Sequence, residues 1–374
     1  MHYQWIENPH QLVSLADALQ HSPANALDTE FIKVDTLYPK LGLLQVNVNQ
    51  HIYLVDGHLD LSPIWQSLFA AEQNIFHACG EDIDLIYHYA QKRPLNNIFD
   101  TQIAMSFLGY GRQIGYQAAL EQVLNIQVDK DQTRSDWLAR PLSDDQIRYA
   151  VSDVYYLQDL AQKLITELKQ KNLYEFVIED CQNYCLALAE QLPLDDVYLD
   201  SANYRHSARQ LMQLKQLTTW REQLAITTNQ PRSFILKNNT IHKILERTPR
   251  SVPQLASFDI KPSVLREHGK TILKLLHQLP EQSVWPSRLP RPYRYQYTQT
   301  KEKVDAHIQK VSQTLGIPED VLMRKKWMSE LTQIALQDEP NLTDLTPYLT
   351  GWRLNYLTQP LIEIISEEKR ANTL

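Results

Sequence analysis

The stretch that decides the reading is Ala24-Asn25-Ala26-Leu27-Asp28-Thr29-Glu30-Phe31-Ile32-Lys33-Val34. It has the make-up of a β-strand, yet Asp28 and Glu30 interrupt it. Residues two apart on a strand point to one face, so these carboxylates stand side by side. They repel each other and are costly to bury. Either the strand edge is solvated, or the pair holds a divalent cation. Outward from here, Leu43–Val48, His51–Val55, Ile75–Cys79 and Asn97–Thr101 read as further strands, with Cys79 a buried strand residue. Ser143 to Lys171 reads as one long helix. Its apolar residues recur at helical spacing from Ile147 through Ala150, Val154, Leu157 and Ala161 to Leu168. Ser143 and Gln146 have capping-box spacing. Strands with helices interspersed and following predict an α/β layer with a mixed sheet.

Two more acidic positions bear on the choice. His77-Ala78-Cys79-Gly80-Glu81-Asp82 sets acids just after an apolar strand, at a helix start. Tyr149 and Asp153 are four apart on the long helix and therefore neighbours on its surface. A helical wheel places both on one flank of the apolar stripe. The set is then Asp28, Glu30, Asp82 and Asp153 with one phenol. Hard oxygen ligands suit Mg²⁺ or Mn²⁺. Four carboxylates can hold two ions ~3.5–4 Å apart, an arrangement that serves phosphodiester cleavage. The Tyr149 phenol would aim the attacking water. Glu81, beside Asp82, reads as an exposed surface acid.

Composition narrows the classes. The chain has 374 residues with 43% hydrophobic and 22% charged residues, which excludes collagen and bulk disorder. Only 9 glycines point to a helix-rich protein. Three cysteines make no disulfide framework and fit a reducing compartment. Cys181 and Cys185 share a helix face but have no second pair at zinc spacing, so they read as core. No run approaches a membrane span and no basic, apolar leader opens the chain, so a cytoplasmic protein with no membrane partner is expected. Gly109-x-Gly111-x-x-x-Gly115 follows a helical stretch and lacks the strand–turn–helix context of a dinucleotide site.

Charge splits the chain. Residues 1–200 carry 12 Lys and Arg against 28 Asp and Glu, while residues 201–374 carry 25 against 16. An acidic half joined to a basic one suggests nucleic-acid binding. Prolines at 280, 286, 290 and 292, and the stretch 191–196, mark linkers. They predict domains at 1–195, 203–281 and 298–370, the last two all-helical. Residues 205–250 hold nine cations, Arg205, Arg209, Lys215, Arg221, Arg232, Lys237, Lys243, Arg247 and Arg250, against Glu222 and Glu246. That is the footprint of a phosphate-binding surface. Arg288, Arg291 and Arg294 interleave with Tyr293, Tyr295 and Tyr297, a pattern that can track single-stranded bases or simply line a solvated linker.

Asp-Thr-Glu-Phe at 28–31, His77-x₄-Asp82 and Tyr149-x₃-Asp153, in this order, resemble the three exonuclease motifs of the DEDD superfamily, in the branch with tyrosine in the last motif. Tyr38-Pro39-x-Leu41-Gly42-Leu43-x-Gln45, Asp100-Thr101-Gln102 and Arg134-Ser135-Asp136-Trp137-Leu138-Ala139-Arg140-Pro141-Leu142 extend the resemblance to the ribonuclease D family over most of residues 1–195. The segment from Arg205 to about Glu281 resembles the HRDC domain, and 298–370 a divergent second copy. The resemblance implies an RNase H-like fold, two divalent cations (Mg²⁺ or Mn²⁺), and 3′-to-5′ trimming of RNA, with release of nucleoside 5′-monophosphates. The substrates it implies are tRNA precursors and other small structured RNAs, and the state a monomer. It gives Asp28, Glu30 and Asp153 to the first ion, Asp28 and Asp82 to the second, Tyr149 to the nucleophile, and Thr29 and Phe31 to the terminal nucleotides. An acid frequent in HRDC domains is replaced here by Asn238 or Asn239. A DNA-directed exonuclease and a catalytically silent RNA-binding scaffold are the competing readings.

Overall fold

The structure is a computed structural model and describes residues 2–128, 135–190, 192–291, 298–337 and 339–371. Arg134, Tyr293, Arg294, Tyr295 and Tyr297, singled out above, lie outside the described residues. The chain forms two compact units. One comprises residues 1–32, 40–190 and 293–374, the other 33–39 and 191–292.

The first unit is built on six strands: β1 (Tyr3–Ile6), β2 (Asn25–Ile32), β3 (Lys40–Val48), β4 (His51–Asp56), β5 (Asn74–Phe76) and β6 (Ile98–Asp100). They lie in the order β1-β4-β3-β2-β5-β6, with β3 antiparallel to both neighbours and the other pairs parallel. This is the mixed sheet expected, with β1 added at an edge. Its helices are α1 (Pro9–His21), α2 (Ser62–Ala70), α3 (Gly80–Tyr89), α4 (Thr101–Phe107), α5 (Tyr116–Leu124), α6 (Asp144–Tyr155), α7 (Leu157–Gln170) and α8 (Tyr174–Ala189). Alternation along β2 and β3 gives each face its own apolar layer. Leu27, Leu44 and Val46 join α1 and α7 in one core. Leu43, Ile52 and Leu54 meet Ala150, Val151 and Val154 of α6 in the other.

The single helix expected from Ser143 to Lys171 is two helices, parted at Tyr156. The capping box at Ser143 and Gln146 forms as read. The break follows from packing. Ala150, Val151 and Val154 belong to one layer, whereas Leu157, Leu160 and Leu164 belong to the other. One straight rod cannot serve both faces of the sheet. Backbone carbonyls freed near the break find partners, since Asn47 Nδ2 donates to Val154 O at 3.0 Å. Cys79 is buried as expected but is no strand residue; β5 ends at Phe76, and Cys79 starts α3.

The second unit contains α9 (Ala208–Thr228), α10 (Arg232–Ile235), α11 (Asn238–Arg247), α12 (Val252–Leu255) and α13 (Pro262–His277). Leu211, Leu214 and Leu217 of α9 pack with Ile241 and Ile244 of α11 and with Ile272 and Leu276 of α13. The chain ends in α14 (Thr298–Leu315), α15 (Glu319–Leu322), α16 (Lys325–Ala335), α17 (Pro347–Thr350) and α18 (Gln359–Ala371), which share the core of the first unit. A buried ion pair anchors them. Arg353, fully buried, donates to Asp180 of α8 at 2.5 and 2.8 Å and to the carbonyls of Val321 and Leu322 at 3.0 Å. Trp352 stacks on Phe176, ring centroids 4.5 Å apart, and donates from Nε1 to Asp180 at 3.0 Å.

Candidate active site

β2 presents Asp28 and Glu30 to the layer under α6, and α6 presents Asp153 to them. One oxygen from each of these three carboxylates lies within 4.8 Å of the others. Among the described residues this is the one acidic, Cys or His cluster of metal-binding geometry. Asp82 enters from the first turn of α3, buried, and its Oδ1 accepts from Thr29 N at 3.1 Å and Thr29 Oγ1 at 2.5 Å. The Tyr149 hydroxyl donates to Asp153, one helical turn away. All five residues of the expected constellation therefore converge. Glu81 is exposed and is not one of the clustered carboxylates.

The electrostatics are those of a site waiting for positive charge. Burial, and then repulsion by Asp82, Asp153 and Glu30, raise the Asp28 carboxyl well above its ordinary range. Burial and the neighbouring acids push Glu30 up to about 9. Asp153 is pushed up to about 8, chiefly by burial, against the restraining Tyr149 hydrogen bond. Asp82 is pushed up only to about 6, because the Thr29 bonds oppose burial. The Tyr149 phenol, half-buried beside Asp153, is pushed upward and stays protonated. Three hard-oxygen ligands gathered at this separation, with protons standing in for cationic charge, fit a divalent ion.

Thr29 is buried and its hydroxyl faces Asp82, so its visible work is to hold that carboxylate. Phe31 is partly exposed, where the register of β2 on β3 shifts and Gly42 of β3 is left over opposite Glu30 and Phe31.

Two motifs that looked like tags prove to be struts. Asp100 caps α4, accepting from Gln102 N and Ile103 N, and reaches back to Cys79 N at 2.7 Å. It thereby ties down the turn that launches α3 and Asp82, where Ala78 is held at φ 59°. Arg140 grips Asp56 with two bonds of 2.8 and 2.9 Å and donates to Gly42 O at 2.7 Å. A Cβ at Gly42 would strike the Trp137 carbonyl, so only glycine lets this strap close down. Trp137, buried, lies 6.1 Å from the Tyr149 ring and backs it. Nearby polar groups the sequence did not single out are Tyr116, a phenol pushed upward by burial and by Asp153 and Asp28, and the buried Asn47.

In the helical unit, several of the nine cations hold the fold together. Arg221 is buried and donates to Leu236 O at 2.9 Å and Asn238 Oδ1 at 2.6 Å. Arg232 pairs with Glu222, and Lys237 with Asp259. Arg205, Arg209, Lys243, Arg247 and Arg250 stand on the surface, as do Arg288 and Arg291. The phosphate-facing charge is thus smaller than the sequence count implies. Asn238 occupies its position as the acceptor for Arg221.

A mixed six-stranded sheet with four carboxylates and a tyrosine at its centre defines a 3′–5′ exonuclease of the DEDD type with an appended helical unit. A family model described as "3'-5' exonuclease" matches residues 3–169, and one described as "HRDC domain" matches 210–276. Ribonuclease D of Pseudomonas paraeruginosa is 32% identical over 370 residues, covering 97% of each chain. Ribonuclease D of Escherichia coli is 30% identical over 376 residues, 98% of this chain and 99% of that one. The crystal structure of Escherichia coli RNase D, an exoribonuclease involved in structured RNA processing, aligns with a TM-score of 0.89 and 28% identity, covering 98% of this chain and 99% of that one. The chain belongs to the ribonuclease D family. No described helix is long and apolar enough to cross a membrane.

Proposed function

We propose that this protein is a 3′-to-5′ exoribonuclease that hydrolyses terminal phosphodiesters and releases nucleoside 5′-monophosphates. The observation that carries the reading is the meeting of Asp28, Glu30 and Asp153 within 4.8 Å, with Tyr149 bonded to the last. Asp28, Glu30 and Asp153 would hold one divalent ion, and Asp28 with Asp82 a second, Mg²⁺ or Mn²⁺. Such ions supply an activated water and stabilise the departing 3′ oxygen. The rest is done by the chain. Tyr149, protonated and braced by Trp137, orients the attacking water through its hydroxyl. Thr29 holds Asp82 in place, and together with Phe31 it forms the border where the terminal nucleotide lies, Phe31 against a base face. The surface arginines and lysines of the helical unit bind the phosphate backbone. The substrates are structured RNAs with 3′ extensions, tRNA precursors among them, and the working state is a monomer.

The test is a 5′-labelled, 3′-extended tRNA-like RNA beside its DNA counterpart, each with Mg²⁺ and with EDTA. Stepwise 3′ shortening of RNA, abolished by EDTA, is expected. Equal or better trimming of DNA would replace the RNA reading. Binding with no shortening of either would leave a scaffold.

A further inference from the structure

Gln45 is the buried polar group nearest to the site in register that the chemistry above does not use. It sits on β3 directly opposite Asp28 of β2. Opposed residues of an antiparallel pair share a face, with Cβ atoms about 4.5–5.5 Å apart. Its neighbours confirm which face. Leu43, two residues before, packs against α6, and Asn47, two residues after, bonds to Val154 O at the end of α6. Gln45 therefore projects under α6, into the layer that holds Asp28 and Asp153.

Gln45 is 0% exposed, and neither Oε1 nor Nε2 has a hydrogen-bond partner among the described residues. A buried amide with both ends unsatisfied is rare and calls for an explanation. The same layer holds a complementary orphan, since Asp153 Oδ2 is buried without a donor. The groups acting most strongly on Asp28 are the carboxylates of Asp82, Asp153 and Glu30. A lysine or arginine at position 45 would neutralise them and compete with a cation. An amide donates a hydrogen bond and leaves their negative charge intact.

We propose that Gln45 is a positioning residue, whose carboxamide N–H holds the Asp28 and Asp153 carboxylates, through one buried water, in the arrangement that captures the ion. This rests on the ion-binding reading of the cluster. Outer partners of this kind typically account for 10–100-fold in metal affinity, roughly. The design differs from a packing role in sign, because the ion-free protein carries the unsatisfied amide as a burden.

The experiment uses the full chain, stripped of metal, titrated with Mn²⁺ alone and followed by the paramagnetic signal of free Mn²⁺. Melting in EDTA is measured alongside. Gln45→Met keeps length and bulk without the amide, and Gln45→Leu serves if the first variant does not fold. Val46→Ala, a buried position on the opposite face of the same strand, reports a packing defect only. For Gln45→Met the Mn²⁺ dissociation constant should rise about tenfold or more, while the melting temperature in EDTA holds or rises. Val46→Ala should melt earlier and bind Mn²⁺ as wild type does. Mn²⁺ affinity within about threefold of wild type in Gln45→Met overturns the proposal. So does a loss of affinity that comes only with a fall in melting temperature like that of Val46→Ala. If the wild-type chain itself takes up no Mn²⁺, the ion reading fails rather than the role of Gln45.

Discussion

Replacing Asp28 with asparagine should make the ion-free protein more stable while abolishing its activity. The reasoning starts from three carboxylates whose oxygens lie within 4.8 Å of one another. At that separation, and an effective dielectric of about 20, two unit charges repel by roughly 3 kcal/mol. Asp28 feels this from Asp82, Asp153 and Glu30. Without a cation the cluster escapes part of the cost by retaining protons, which is why Glu30 reaches about 9 and Asp153 about 8. Acids raised on folding bind more protons in the folded chain than in the unfolded one. Stability of the ion-free protein is therefore highest on the acid side. It falls as pH rises from the ordinary carboxyl range near ~4 towards the folded values. The Asp28→Asn substitution removes the group at the centre of the repulsion. In EDTA at pH near 8 the variant should gain about 1–3 kcal/mol, or roughly 2–10 °C in melting temperature, and at pH near 5 much less. Mn²⁺ should raise the melting temperature of wild type but not of the variant, and RNA turnover should fall by about a thousandfold or more. Calorimetry across pH, with and without EDTA, reads all of this. An Asp28→Asn variant no more stable than wild type in EDTA at the alkaline end would refute the electrostatic argument, as would an equal gain at both ends.

Tyr149→Phe keeps the ring against Trp137 and removes the hydroxyl; kcat should fall about 100-fold while Mn²⁺ affinity changes little, read by single-turnover cleavage and ion titration. Asp180→Leu strands the buried Arg353 and should cost about 3–5 kcal/mol, whereas pairing it with Arg353→Met should recover most of that in thermal or urea unfolding. Asn238→Asp gives the buried Arg221 a charged acceptor and should stabilise the helical unit by about 1 kcal/mol, while Asn238→Ala should cost about 1–3 kcal/mol. A loss of stability in Asn238→Asp would mean that Arg221 is already balanced by its other neighbours.

The carboxylates were legible because each offends a local rule. Acids inside a strand, or beside an apolar helical stripe, stand out against the pattern that buries everything around them. The mixed α/β sheet followed from the same runs, apart from β1, whose four residues are too short to carry a period. What stayed hidden depends on three-dimensional demand. The apolar period through Tyr156 is unbroken, so nothing local shows that its two halves face opposite sides of the sheet. Nothing local marks Arg353 as buried, since a charged residue normally is not; only Asp180, far away in sequence, makes its burial possible. The basic count in residues 205–250 overstated the binding surface in part for the same reason, since Arg221 is buried and Arg232 pairs with the buried Glu222, while Lys237 is taken up by a surface pair with Asp259.

The polar supports explain how a cluster of repelling acids keeps its shape without an ion. Each carboxylate is carried by an element fixed by bonds that do not involve the cluster. Asp100 clamps the turn before α3, Arg140 and Gly42 clamp the strap before α6, and Gln158 Nε2 donates to Ala24 O and Asn47 O at 3.0 Å beyond its end. These bonds are indifferent to the protonation of the site. Asp56 stays ionised under Arg140, held down to about 2 even though burial pushes the other way. Lowering pH from about 9 therefore fills the cluster with protons, Glu30 and Asp153 first and Asp82 at about 6, before it loosens the frame. Ion affinity should fade as pH falls through this range while the folded frame persists, so that the weakening reports proton competition at the four carboxylates and not loss of structure.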